Sequence, residues 1–179
     1  DPIHRANPAT GHPPRRTPAR ACFAPRRRFA YPARMTSTDI LGFAVNALGD
    51  YVTVTRSATP GVRITGASGV VSDIPREPER NTAGRALQAL NTAVKPAFGF
   101  DMHIHKGIPL GSGLGGSASS AVGAVVAANA LLDQPLQKIE LLKFAMQGEA
   151  VASGSVHADN ISPSLFGGLV LTVGIDHPR

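Results

Sequence analysis

The segment Pro109-Leu110-Gly111-Ser112-Gly113-Leu114-Gly115-Gly116-Ser117-Ala118-Ser119-Ser120 concentrates the chemistry of this sequence. Its glycines allow positive φ and let a ligand approach the main chain closely. The segment follows a predicted strand and opens a long predicted helix, whose first N–H groups have no internal partner. The helix dipole adds partial positive charge at the same end. Together these features form an anion site suited to phosphate. The loop itself contains no lysine, so binding would rest on backbone N–H groups, the dipole and a metal. Glu149 lies on a later predicted helix, and His157, Asp159 and Asn160 lie between that helix and Pro163. His103 and His105 share one strand face as i and i+2. Such a pair can bind zinc, but without further ligands nearby in sequence the reading is structural.

Two nucleotide-site templates fail. A Walker A loop requires a lysine after its last glycine, and none is present. A dinucleotide fingerprint matches formally at Gly111, Gly113 and Gly116. It requires a strand ending in an acidic residue about 20 positions on. Here Asp133 ends the helix, and the next segment, PLQKIELLKFA, is again helical. A glycine-rich turn without a ligand is the plain alternative.

Alternating elements must carry the loop. Asp50–Thr55 alternates as a strand, Val62–Thr65 reads as its hairpin partner, and Pro60-Gly61 forms the turn. Ala83, Ala86, Leu87, Leu90 and Val94 are spaced for a helix over 82–94, ended by Pro96. Phe100–His105 alternates as the strand that delivers the loop. Helices are predicted over 117–132 and 136–151, and a last strand over 168–173. The mixture implies an α+β fold. No apolar run reaches the ~18 residues of a membrane span. The single cysteine, Cys22, excludes an intrachain disulfide.

The net charge of +6 lies wholly at one end. Residues 1–38 hold eight arginines against one acid, with seven of the 15 prolines and one of the 19 glycines. Such a segment cannot offset its ordering entropy and is expected to be disordered. A basic nucleic-acid arm and an organelle transit peptide are alternatives. The reading adopted is a non-native or mistranslated leader over 1–38, with the domain over 39–179. The remaining charge is near neutral, so no nucleic-acid or membrane partner is expected. The first residue is Asp rather than Met, which reads as a fragment.

Pro109–Ala118 resembles the phosphate loop P-x-G-x-G-L-G-S-S-A of the GHMP small-molecule kinases, a superfamily named for galactokinase, homoserine kinase, mevalonate kinase and phosphomevalonate kinase. Gly116 replaces the first serine of the pair, and Ser117 keeps the second. Within the superfamily the chain is most similar to homoserine kinases. Asp39-Ile-Leu-Gly-Phe resembles their G-F-D-x-L-G-F segment. Gly148-Glu149 and Ser153–Pro163 resemble their G-E…S-G-x-x-H-x-D-N-[VI]-x-P signature, and Gly167-Gly168 follows in place. Only the Asp39 end of the family's first motif is present, as if a frameshifted leader lay over the rest. The C-terminal domain, with its third glycine motif and carboxylate-binding arginines, is expected to be absent.

The resemblance implies a GHMP-kinase N-terminal domain of the ribosomal protein S5 domain 2-like fold. It implies a cytoplasmic enzyme of threonine biosynthesis that phosphorylates the L-homoserine hydroxyl with ATP and Mg²⁺, a homodimer when full length. The truncated chain is expected to be inactive alone. Pro109 to Ser119 would bind ATP, with Asn81 beside the adenine. Ser117 and Glu149 would hold Mg²⁺. Asp39, His157 and Asp159 would face homoserine, with Asp39 the candidate base, and Asn160 would orient the hydroxyl or a phosphate oxygen. Alternatives are another small alcohol such as mevalonate, or a non-catalytic nucleotide-binding remnant.

Overall fold

The computed structural model describes residues 19–21, 40–45, 48–153 and 158–172. Strands β1 (Ala19–Ala21), β3 (Tyr51–Ser57), β4 (Val62–Gly69) and β5 (Gly99–Lys106) form one sheet in the order β1-β3-β5-β4. A second, two-stranded sheet pairs β2 (Ile40–Phe43) with β6 (Leu169–Thr172). The helices are α1 (Thr82–Val94), α2 (Gly116–Asn129), α3 (Lys138–Ser153) and the short α4 (Ile161–Phe166).

Strand β5 organises the core. Its inward residues Phe100, Met102 and Ile104 are fully buried, as are Val52 and Val54 of β3. Leu87 and Leu90 of α1, Val122 and Val125 of α2, and Phe144 and Ala145 of α3 complete the core. Helix α2 consists of small and branched residues buried almost all round, so its sequence shows no polar stripe. A Cβ on Gly123 would stand 2.9 Å from Val52, so the missing side chain lets α2 lie directly on β3. The other face of the sheet carries polar groups. There Asp101 pairs with Arg63 at 2.8 Å and holds its guanidinium above the ordinary value, through the hydrogen bond first and charge attraction second.

The expected hairpin is not formed. Strands β3 and β4 are both present, but β5 lies between them, antiparallel to β3 and parallel to β4. A parallel pair needs a crossover, and residues 70–98, including α1, supply it. Local geometry explains the insertion. Phe100 N–H donates to Gly61 O at 2.8 Å, so the Pro60-Gly61 turn closes over the start of β5. A Cβ at Gly99 would fall 1.9 Å from Thr59 O, so only glycine fits under that turn. The register shifts between Ile64 and Gly66, and the Thr65 hydroxyl there donates to Met102 O at 3.0 Å, as at a β-bulge.

Three further differences from the sequence reading concern the ends. Ala19–Ala21 pairs antiparallel with β3, Ala19 opposite Val54, so the leader expected to be disordered contributes three residues to the sheet edge. Ile161–Phe166, to which the sequence reading assigned no element, is a helix whose Ile161 and Leu165 are fully buried. Pro163 falls in its first turn, where a missing N–H costs nothing. Ile40–Phe43, read only as motif, is a strand with Phe43 opposite Leu169. Among the described residues no helix is long and apolar enough to cross a membrane.

Candidate functional site

The glycine loop joins the end of β5 to the start of α2. Gly111, Gly113 and Gly115 have φ of +71°, +74° and +69°, a region costly for residues with a Cβ. At Gly111 and Gly113 an added Cβ would meet nothing within 4 Å, so the loop crest opens to solvent. Leu110 and Leu114 are exposed, as are Pro109 and Ser112. Gly115 is the N-cap of α2 and makes no side-chain cap bond. The first N–H groups of α2 therefore remain available at the dipole's positive end. Ala118 is fully buried, and Ser119 Oγ accepts from Asp50 N–H at 3.3 Å; both side chains support the loop from below.

Ser117 lies in the first turn of α2 and does not cap it. Its hydroxyl donates to Glu149 Oε1 at 3.0 Å, and Glu149 is buried on α3. Gly148 makes that meeting sterically allowed. A Cβ there would fall 2.3 Å from Thr82 O, 2.8 Å from Ala86 Cβ and 3.3 Å from Ala121 Cβ. The three long helices thus converge at Gly148, and the next residue extends its carboxylate to Ser117. Asn160 lies beside the loop, since a Cβ on Gly115 would stand 3.3 Å from Asn160 Oδ1. The Asp159 carbonyl and Pro163 abut Gly42 of β2 at 2.9 Å from a built Cβ. Loop, Ser117, Glu149 and Asn160 are therefore assembled in one place. Asp39 and His157 lie outside the described residues.

Asn81 is buried as the N-cap of α1. Its Oδ1 accepts from Ala83 N–H at 3.0 Å and Gly84 N–H at 3.2 Å, and its Nδ2 donates to Pro75 O at 2.9 Å. The amide is engaged within the fold and acts on the site by fixing the start of α1. His103 and His105 converge on the Ser68 hydroxyl at 3.0 and 3.1 Å. Among the described residues no cluster of three or more His, Cys, Asp or Glu is present. A cavity of about 600 Å³, lined by Val62, Arg85, Gln88 and Phe144, shares no residue with the loop.

Two residues that the sequence reading missed, Lys106 and Asp50, support the loop together with Ser120. Lys106, at the end of β5, is buried and paired with Asp50, whose side chain is fully buried. Lys106 Nζ also donates to Gly116 O and Ser120 Oγ, each at 3.0 Å. Strand parity held the signal. Phe100, Met102 and Ile104 point inward, so Lys106 must as well. Val52 and Val54 point inward, so Asp50 must too, one step beyond the Tyr51–His105 pair.

Residues 81–168 match the family model described as GHMP kinases N terminal domain. A homoserine kinase of Xylella fastidiosa (strain M12) is 53% identical over 133 residues, 74% of this chain and 41% of the relative. A homoserine kinase of Halorubrum lacusprofundi is 41% identical over 134 residues, 75% of this chain and 43% of the relative. The crystal structure of homoserine kinase from Cytophaga hutchinsonii superposes with a TM-score of 0.72 at 42% identity, covering 76% of this chain and 44% of that one. Mevalonate kinase from Methanococcus jannaschii, at TM-score 0.54 and 18% identity over 70% of this chain and 44% of that one, shares the fold. This chain spans less than half the length of these relatives. Residues 81–168 are therefore the N-terminal domain of a GHMP kinase, in a chain homologous to homoserine kinases.

Proposed function

We propose that this chain is the nucleotide-binding part of a homoserine kinase. The whole enzyme would transfer the γ-phosphoryl group of ATP to the hydroxyl of L-homoserine, giving O-phospho-L-homoserine for threonine biosynthesis in the cytoplasm. The observation that carries the reading is the positive-φ glycine loop at the start of α2 with the Ser117–Glu149 pair beside it, in a sequence 53% identical to a homoserine kinase. Identity to mevalonate kinase is far lower, 18%, which favours homoserine over mevalonate.

Phosphoryl transfer depends on positioning and charge neutralisation. In this proposal the backbone N–H groups of residues 111–117 bind the ATP phosphates, and the open crest at Gly111 and Gly113 gives them access. A hydroxyl and a carboxylate are hard oxygen donors of the kind Mg²⁺ takes, and Ser117 and Glu149 present both at 3.0 Å. When bound, Mg²⁺ would offset the charge of the β and γ phosphates. Asn160 orients the substrate hydroxyl or a phosphate oxygen. Asp159 and His157 face the homoserine side, and Asp39 accepts the hydroxyl proton. The partners are small molecules, with no nucleic acid or membrane involved, and the full-length form is a homodimer. The chain alone binds nucleotide without turnover, because its relatives are more than twice the matched length.

The test is ADP release with L-homoserine or mevalonate. It compares this chain with a chimera that joins it to the remaining segment of the Xylella fastidiosa relative. Homoserine-dependent release by the chimera alone is expected. Preference for mevalonate would overturn the substrate assignment, and steady release by the chain alone would overturn its inactivity.

A further inference from the structure

We infer that Asp50, Lys106 and Ser120 form a closed, internally neutral tether that fixes the course of the glycine loop and the first turn of α2, so that Lys106 serves as a positioning residue rather than a phosphate ligand. A lysine at the base of a phosphate loop would ordinarily be assigned to the phosphate. Here all three of its ammonium hydrogens have acceptors inside the fold: Asp50 Oδ2, Gly116 O and Ser120 Oγ. Asp50 is equally committed. Its Oδ2 accepts from Lys106 and the Ser120 hydroxyl, and its Oδ1 accepts from Gly107 N–H at 3.0 Å and Ile108 N–H at 3.2 Å.

The bonds fall at both ends of the loop. Gly107 and Ile108 are where the chain leaves β5; Gly116 and Ser120 are where it enters α2. The anchor, Asp50, leads into β3, a third element. Between these points the loop crest has no neighbours at Gly111 and Gly113. Its conformation is therefore set by its ends, and the tether holds both. A buried ion pair contributes little net stability against an apolar substitute, so its value here lies in the geometry it specifies. The consequence for ATP rests on the phosphate-binding reading above; the tether itself does not.

The experiment measures amide hydrogen exchange and thermal melting of the unligated 179-residue chain, followed by Mg·ATP titration. The variants are Asp50→Asn/Lys106→Met, which removes both charges together, and Ser120→Ala. In the double variant the hydrogen-bonded amides at the two ends of the loop, Gly107, Ile108 and Ser119, are expected to exchange at least about tenfold faster, while those of 122–128 keep their wild-type rates. Mg·ATP affinity is expected to fall by about tenfold or more as the amides of residues 111–117 lose their fixed arrangement. A folded double variant with unchanged loop-end exchange overturns the tether. If the double variant does not fold, Ser120→Ala decides. It removes one hydroxyl, is expected to speed loop-end exchange about threefold or more without touching 122–128, and overturns the proposal if loop-end exchange is unchanged. A wild-type chain that binds no Mg·ATP would sink the phosphate reading, while the exchange contrast would still decide the tether.

Discussion

Gly148→Ala tests whether the helix convergence places Glu149. The added Cβ would lie 2.3 Å from the Thr82 carbonyl oxygen and 2.8 Å from Ala86 Cβ. Ordinary carbon contacts begin near ~3.5 Å, and one obstacle is backbone, which no rotamer change can clear. Helix α3 must therefore withdraw from α1 by roughly 1 Å. Overpacking of this kind costs about 1–3 kcal/mol, and a backbone obstacle puts it at the upper end. Alanine returns about 1 kcal/mol of helix propensity, leaving a loss of about 2 kcal/mol and a melting point lower by about 4–8 °C. The same withdrawal carries Glu149 away from Ser117, now 3.0 Å apart, so Mg·ATP affinity should fall further than the melting point alone requires. The assay is differential scanning calorimetry with Mg·ATP titration, using exposed Gln147→Ala as the control. A variant that melts at or above wild type with unchanged affinity would refute the convergence argument.

Three other substitutions separate parts of the account. Asn81→Ala should cost about 1–2 kcal/mol by denaturant titration, since two helix N–H groups lose their acceptor, whereas Asn81→Asp should keep the cap and lose only the bond to Pro75 O. Phe100→Ala removes a fully buried ring that meets Phe98 edge-on at 5.3 Å; a loss of about 3–5 kcal/mol, enough to populate the unfolded chain, is expected in the same titration. Glu149→Gln keeps an acceptor for the Ser117 hydroxyl but removes the charge. It should leave the melting point nearly unchanged and reduce the Mg²⁺ dependence of nucleotide binding by about tenfold, roughly one charge-assisted interaction; equal Mg²⁺ dependence would remove Glu149 from the metal site.

Local signals in the sequence were strong where one element decides its own form. The helix over 82–94 is legible because Asn81 caps it and apolar spacing runs unbroken to Val94; Lys95, in the left-handed region, then ends it. The glycine loop is legible because its composition has few other uses. Strand order is not legible in the same way. The Pro60-Gly61 turn indicates a reversal, but nothing local says that Phe100 N–H will take the Gly61 carbonyl and place β5 inside. Helix α4 is hidden because Pro163 looks like a stop until its first-turn position is known. The buried pairing of Asp50 with Lys106 is legible only in the parity of the two strands that flank the loop, not in the loop motif itself. Glu149 was found by motif, whereas the reason it reaches Ser117 is a contact between helices far apart in sequence.

The central claim is that residues 109–119 form a working phosphate site in this chain. Its most direct test is Mg·ATP titration by calorimetry, with Gly113→Val as the control. Gly113 has φ of +74° and an open surround, so a branched side chain there strains the loop without touching the core. The account predicts saturable Mg·ATP binding by the wild-type chain that the control loses while keeping a cooperative melt. Equal binding by both, or none by a wild-type chain that melts cooperatively, would contradict it.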